Sequence, residues 1–288
     1  MMTFNDLLRE GVSLLAEAGI DDARTDAAIL LEYLTGMDRH GMLMRGQEVL
    51  GDGEAEIKGR YLELLKRRKL REPVQYITGM ADFMGLRFRV NENVLIPRFD
   101  TEFLVEELMI EIGDGASLLD VCTGSGCILL SLMSYKNGIK GAGTDISEEA
   151  LATAEENERA VFSGRESEHE PVDWILSDMF ENVRGAYDYI VSNPPYIQSE
   201  VIDSLMSEVK DHEPRTALDG GRDGLDFYRI IALNAGKHLK RHGKLFLETG
   251  YDEAEAVSGL LRENGFTGIK IKKDYAGNDR VVIGEYHV

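Results

Sequence analysis

The chain has only two cysteines, Cys122 and Cys127, and its six histidines are scattered without a ligand-like spacing such as His-x-x-x-His. A disulfide framework and a zinc site are both disfavoured, and no metal is expected. Two cysteines in 288 residues fit a reducing cytosol, where they serve first as small apolar residues. No stretch of about 18 uncharged apolar residues exists, so no membrane span is expected. The start, MMTFNDLLREG, carries Asp6, Arg9 and Glu10 where a signal peptide needs an apolar run, so a cytoplasmic protein is expected. Positive charge is also short, with 32 Lys and Arg against 52 Asp and Glu, a net −20. Residues 1–75 carry −3 of this and the remainder −17. Such a field repels phosphate backbones, which makes free DNA or RNA a poor substrate or partner. The basic run KRRKLR, residues 66–71, closes a predicted helix and is read as cations favoured by the helix C-terminal dipole rather than as a docking patch.

What is present divides the chain in three. Residues 3–19 place Phe4, Leu7, Leu8, Val12, Leu15 and Ala18 on one helical face, with Thr3 as N-cap and Gly19 as the stop. Helices are predicted again over Asp22–Leu34 and over Glu54–Lys69, the latter burying Ile57, Tyr61, Leu64 and Leu65. Residues 1–74 therefore read as a small N-terminal helical bundle. Over residues 75–94 the β-prone pieces QYITG, DFMG and LRFRV, separated by glycines, predict a linking β-hairpin. Within residues 95–288 the strand-like runs SLLDVCT, GAGTDIS, VDWILSD, YDYIVSN and GKLFLETG alternate with helical stretches. That alternation predicts a doubly wound α/β sheet with helices on both faces. The tail, with its turn Ala276-Gly277-Asn278, predicts a terminal antiparallel pair.

In such sheets ligands sit beyond the carboxyl ends of the strands. The first strand runs into DVCTGSGCI, where Gly124 and Gly126 let backbone approach a ligand and the next helix offers free N–H groups. The second ends at Asp145, 21 residues beyond Gly124, a spacing that suits a carboxylate accepting both hydroxyls of a ribose. Asp145 also stands where it can cap the helix starting at Ser147. The full Gly-x-Gly-x-x-Gly pattern for pyrophosphate is missing, and so is a Gly-Lys-Ser/Thr loop for a triphosphate. A nucleoside without phosphates fits better, and S-adenosylmethionine is the common one. The third strand supplies Asp178, an acceptor for the adenine amino group, and Met179, which can pack on its ring.

The fourth strand ends YIVSNPPYIQ, residues 189–198. Two prolines cannot donate to a ladder, and each forces its predecessor into extended backbone, so the chain leaves the sheet in a stiff turn. Stiffness holds the Asn193 carboxamide, the Pro194 carbonyl and the Tyr196 ring in one arrangement, with Pro195 locking the turn. Acceptors beside an aromatic face suit a planar NH2 group. Such a nitrogen is a poor nucleophile, so catalysis has to come from position: two accepted N–H bonds aim it at the methyl and stabilise the charge growing on it.

REPVQYITG, LIPRFDTE, DVCTGSG, SNPPYI, HEPRTALDGGRDGLDFYR, LFLETGY and DYAGNDRVV, in this order over nearly the whole chain, resemble the protein-(glutamine-N5) methyltransferases of peptide chain release factors, the PrmC or HemK family. The resemblance implies a seven-stranded S-adenosylmethionine-dependent methyltransferase fold. It implies that Cys122, Thr123, Gly124, Ser125, Gly126, Asp145, Met179 and Asn193 line the cofactor site, and that Asn193, Pro194, Pro195 and Tyr196 hold a glutamine. It implies that the bundle helps dock a release factor, whose Gly-Gly-Gln loop enters the pocket. A monomer is expected. Phe99 stands where the family usually has proline, Cys122 where it often has glycine, and Met179 where some members have an aromatic residue. The glycine-rich stretch EPRTALDGGRDGL, with Pro214, Gly220, Gly221 and Gly224, reads as a long tight loop, and its place after the fourth strand suits a rim. Methylation of a nucleic-acid base uses the same planar NH2 logic, but the −17 charge opposes it. A cofactor-binding scaffold without catalysis has no use for Asn-Pro-Pro-Tyr.

Overall fold

The structure, a computed structural model, describes residues 2–164 and 169–287. It divides into two compact units, one made of Met1–Gly79 with Met206–His212 and the other of Met80–Leu205 with Glu213–Val288.

The first unit holds α1 (Phe4–Glu17), α2 (Ala23–Thr35), α3 (Arg39–Arg45), α4 (Glu54–Lys69) and α5 (Val74–Thr78). A reciprocal capping box starts α1: Thr3 Oγ1 accepts the Asp6 N–H at 3.2 Å, and Asp6 Oδ2 accepts the Thr3 N–H at 2.9 Å. Leu7, Leu15, Leu30, Leu31, Tyr61 and Leu65 form the buried centre, and Tyr61 Oη donates to the Ala27 carbonyl at 2.7 Å. The basic run at the end of α4 does more than meet a helix dipole. Arg68 is buried, 2.6 Å from Asp26 and 3.0 Å from Glu208. Arg71 reaches the same Glu208 at 3.2 Å and the Ala18 and Gly19 carbonyls, while Arg67 pairs with Glu72.

One predicted element is corrected. QYITG is not a strand, for Gln75–Thr78 belong to α5. Pro73 precedes the helix, the Thr78 hydroxyl bonds back to the Val74 carbonyl at 3.0 Å, and Gly79 ends it with φ +73°. Val74 and Ile77 are buried on the side that faces the other helices, so packing overrides the β-propensity of the piece. The hairpin is correspondingly shorter than residues 75–94: β1 (Met80–Phe83) and β2 (Leu86–Arg89), joined by Met84-Gly85 with φ +51° and +70°.

The second unit carries the seven-stranded sheet. Its strands are β3 (Ser117–Val121), β4 (Lys140–Asp145), β5 (Asp173–Leu176), β6 (Tyr187–Ser192), β7 (Leu239–Glu248), β8 (Phe266–Lys273) and β9 (Asp279–Tyr286). The spatial order is β5-β4-β3-β6-β7-β9-β8, with β5 to β7 parallel and β9 antiparallel to both neighbours. Around it lie α6 (Phe99–Glu111), α7 (Cys127–Tyr135), α8 (Glu148–Val161), α10 (Asp226–Asn234) and α11 (Ala254–Glu263); the short α9 (Ser207–Lys210) belongs to the first unit. Alternation along the strands separates two cores: Leu118, Val191 and Phe246 enter one, and Leu119, Ile190 and Leu245 the other. This is the doubly wound arrangement that the strand–helix alternation predicted. Sequence order reverses between β3 and β6, which opens the crevice beyond their carboxyl ends. Among the described residues, no helix is long and apolar enough to cross a membrane.

Candidate active site

The site is built on three strand ends. After β3 the backbone turns through left-handed conformations at Cys122 (φ +61°), Gly124 (φ +55°) and Gly126 (φ +76°). A side chain at such a φ costs roughly 1 kcal/mol, which is why glycine is the easier residue at position 122. The turn is tied down: Thr123 N–H donates to the Thr144 carbonyl at 2.9 Å, and Thr123 Oγ1 donates to buried Asp120 at 2.7 Å. Burial pushes the Asp120 carboxyl up to about 7, against the pull of the Thr123 hydrogen bond.

Asp145, at the end of β4, accepts the Gly124 N–H on Oδ2 at 2.9 Å and the Ser147 N–H on Oδ1 at 3.0 Å. It therefore braces the glycine turn against the next strand. The cap of α8 is Ser147 itself, whose Oγ accepts the Ala150 N–H at 3.1 Å. Burial raises the Asp145 carboxyl above its usual range, opposed by the N–H groups of Ser147, Gly124 and Ile146.

A cavity of about 420 Å³ opens over these strand ends. It brings together Cys122, Thr123, Gly124, Ser125, Asp145, Asp178, Met179, Asn193 and Pro195. Gly126, Pro194 and Tyr196 do not line it. At Gly124 an added Cβ meets nothing within 4 Å, so the turn leaves open space; at Gly126 it would lie 2.9 Å from the Trp174 ring, so this glycine serves the packing of α7. Residues without a role read from the sequence also reach the wall: Arg98 and Thr101 at the start of α6, and Arg215 and Asp219 in the glycine-rich loop. Arg98 is held by the buried Glu213 carboxylate, which also accepts the Ile96 N–H at 3.3 Å. Phe99 is the first residue of α6, a position that favours proline, and the helix starts there without one.

Asn193 leaves β6 with its carboxamide NH2 donating to Thr101 Oγ1 at 3.1 Å. Behind them lies Glu248, 1% exposed at the end of β7. Burial pushes its carboxyl up to about 7, while hydrogen bonding by Thr101, the charge of Arg280 and hydrogen bonding by Asn193 pull it down. Tyr196 is half-buried, and burial keeps its phenol neutral far beyond the usual range. The residue after it is clasped by the EPRTALDGGRDGL loop: Ile197 N–H donates to the Leu218 carbonyl at 2.9 Å and Gly220 N–H to the Ile197 carbonyl at 2.8 Å. A Cβ on Gly220 would lie 2.6 Å from the Tyr196 Cα. The loop read as a rim is thus a splint for the segment that follows Asn-Pro-Pro.

Two family models match this chain: one described as the PrmC N-terminal domain, over residues 6–79, and one as the methyltransferase small domain, over residues 98–222. A release factor glutamine methyltransferase of Clostridium acetobutylicum is 38% identical over 98% of this chain and 98% of its own length. One from Caulobacter vibrioides is 40% identical over 94% of this chain and 92% of its own. Among solved structures, a methyltransferase from Pyrococcus furiosus shares the fold at a TM-score of 0.52, with 20% identity over 71% of this chain and 90% of that one.

Proposed function

This chain belongs to the family of release factor glutamine methyltransferases, and on that premise we propose that it moves the methyl group of S-adenosylmethionine to the side-chain amide nitrogen of the glutamine in the Gly-Gly-Gln motif of peptide chain release factors. The observation that carries this reading is the Asn193 carboxamide, fixed by Thr101 on the wall of the cavity that also exposes the glycine turn and Asp145.

The residues present fit the cofactor. Open space over Gly124 admits it, and each Asp145 oxygen, taken once by a backbone N–H, keeps a lone pair for a ribose hydroxyl. Met179 and Ile146 offer apolar surface to adenine, and Asp178 an acceptor to its amino group. Bound there, S-adenosylmethionine supplies an electrophilic sulfonium methyl. Asn193 Oδ1 and the Pro194 carbonyl accept the two N–H bonds of the glutamine amide, and Tyr196 stacks on its plane. Pro194 and Tyr196 lie outside the cavity wall. Accepting these bonds orients the nitrogen and favours the positive charge it gains, after which its acidic proton leaves to water.

The direct test is incubation with labelled S-adenosylmethionine and purified release factor beside a nucleic-acid control, with the label located by peptide mass. Label on a release-factor glutamine supports the reading. Label on the nucleic acid, or none, refutes it. The same reading places the enzyme in the cytoplasm as a monomer without a nucleic-acid partner.

Asp145→Ala is expected to weaken binding of S-adenosylhomocysteine by at least the roughly 1.5–3 kcal/mol of one charge-assisted hydrogen bond. Calorimetric titration measures it, and unchanged affinity would leave Asp145 only its bracing of Gly124 and Ser147. We assign docking of the release-factor body to the helical unit. Adding release factor should then slow amide hydrogen exchange in α1 to α4, and no added protection there would sink that assignment.

A further inference from the structure

Among the described residues, five that are not glycine hold left-handed backbone, and two of these, Cys122 (φ +61°) and Met179 (φ +49°), stand together in the cavity wall. Their sulfurs lie 3.6 Å apart, although 57 residues separate them in the chain. Side chains are strained at such φ, and strain of this kind persists only where the surroundings over-determine it. Two strained residues in contact call for one explanation.

The order of the sheet shows what the contact spans. β4 stands between β3 and β5, so the segment that leaves β3 at Cys122 and the segment that leaves β5 before Met179 meet across the strand that ends in Asp145. Met179 is unbranched, with three rotatable bonds, and nothing in its own chemistry holds its thioether in one place. Cys122 supplies the hold. Burial and the charges of Asp145 and Asp120 oppose ionisation of its thiol, which therefore keeps an S–H to donate to a thioether that only accepts.

We infer that Cys122 is a positioning residue: its thiol backs the Met179 thioether and so fixes the apolar face on which the adenine of S-adenosylmethionine packs. This rests on reading the cavity as the site of that cofactor. Residue types at 122 and 179 are then tied to one another. A change at 122 acts on the cofactor through Met179, whereas a cysteine that merely completed the glycine turn would act on it whatever stood at 179.

The test is a double-mutant cycle in the full chain, with Cys122→Gly, Met179→Ala and the two combined, read by calorimetric titration with S-adenosylhomocysteine and with adenosine. Glycine is at ease in the left-handed backbone of position 122, so that variant keeps the turn. Cys122→Gly should weaken both ligands by about three- to tenfold when Met179 is present, and by less than about 1.5-fold when residue 179 is already alanine. In parallel, with methionine methyls labelled with carbon-13 and no ligand added, the Met179 methyl resonance should move in Cys122→Gly toward that of a freely rotating methionine. No binding of S-adenosylhomocysteine to the parent would overturn the cofactor reading and this inference with it. Binding to the parent, but with the same loss from Cys122→Gly in both backgrounds or an unmoved Met179 methyl, would overturn the inference alone.

Discussion

Asn193→Ala should slow methyl transfer to release factor by about a hundred- to a thousandfold, because one preorganised acceptor at a site of developing charge is worth on the order of 3 to 4 kcal/mol of barrier. Cofactor affinity should stay within a few-fold, since the carboxamide acts on the acceptor nitrogen. Single-turnover transfer under saturating cofactor measures the effect. Asn193→Asp keeps an acceptor oxygen but loses the NH2 that Thr101 receives and brings a second carboxylate beside Glu248. Partial activity in that variant would show that acceptance is what counts. If Asn193→Ala transfers methyl as fast as the parent, Asn-Pro-Pro-Tyr is only a strand stop and the acceptor binds elsewhere.

Gly220→Ala should be nearly as damaging without touching the cavity. Its Cβ would stand 2.6 Å from Tyr196 Cα and 2.7 Å from Tyr196 C, and backbone atoms cannot swing aside as a flexible side chain does. Gly220 is free of left-handed strain, so the whole effect is steric. Overpacking of this kind costs about 1–3 kcal/mol of stability. A displacement of Tyr196 by about 1 Å should cost about a hundredfold in transfer. Binding of S-adenosylhomocysteine should survive. Thermal unfolding and single-turnover kinetics separate the two effects, and a variant with full rate would show that the splint does not position the acceptor.

The sequence made the sheet legible because strand-like runs alternate with helical stretches, and four of the seven strands end in a chemical signal: glycines after β3, Asp145 at the end of β4, Asp178 after β5, Asn-Pro-Pro after β6. The residues that line the cavity at these strand ends were legible for the same reason, as local spacing carries them. What stayed hidden is long-range. Thr101 and Asn193 are 92 residues apart, and nothing near either one announces the other. Glu248 looks from the sequence like the end of an apolar strand, and only the register with β6 shows what it stands beside. The strand reading of QYITG failed over Gln75–Thr78 because Tyr, Ile and Thr have strand propensity until a proline start and a buried helical face decide otherwise.

The chain visits its helical unit twice, first through Gly79 and again from Met206 to His212, between Tyr196 and the glycine splint. The helical unit is therefore not a bead threaded before the catalytic one, and no single scission releases it. A deletion ending at Gly79 would leave α9 behind as an orphan, with Glu208 stripped of the Arg68 and Arg71 guanidiniums that hold its carboxyl below the usual range. By the same connectivity, a protein that borrowed only the catalytic sheet would have to close the gap between Leu205 and Glu213 anew.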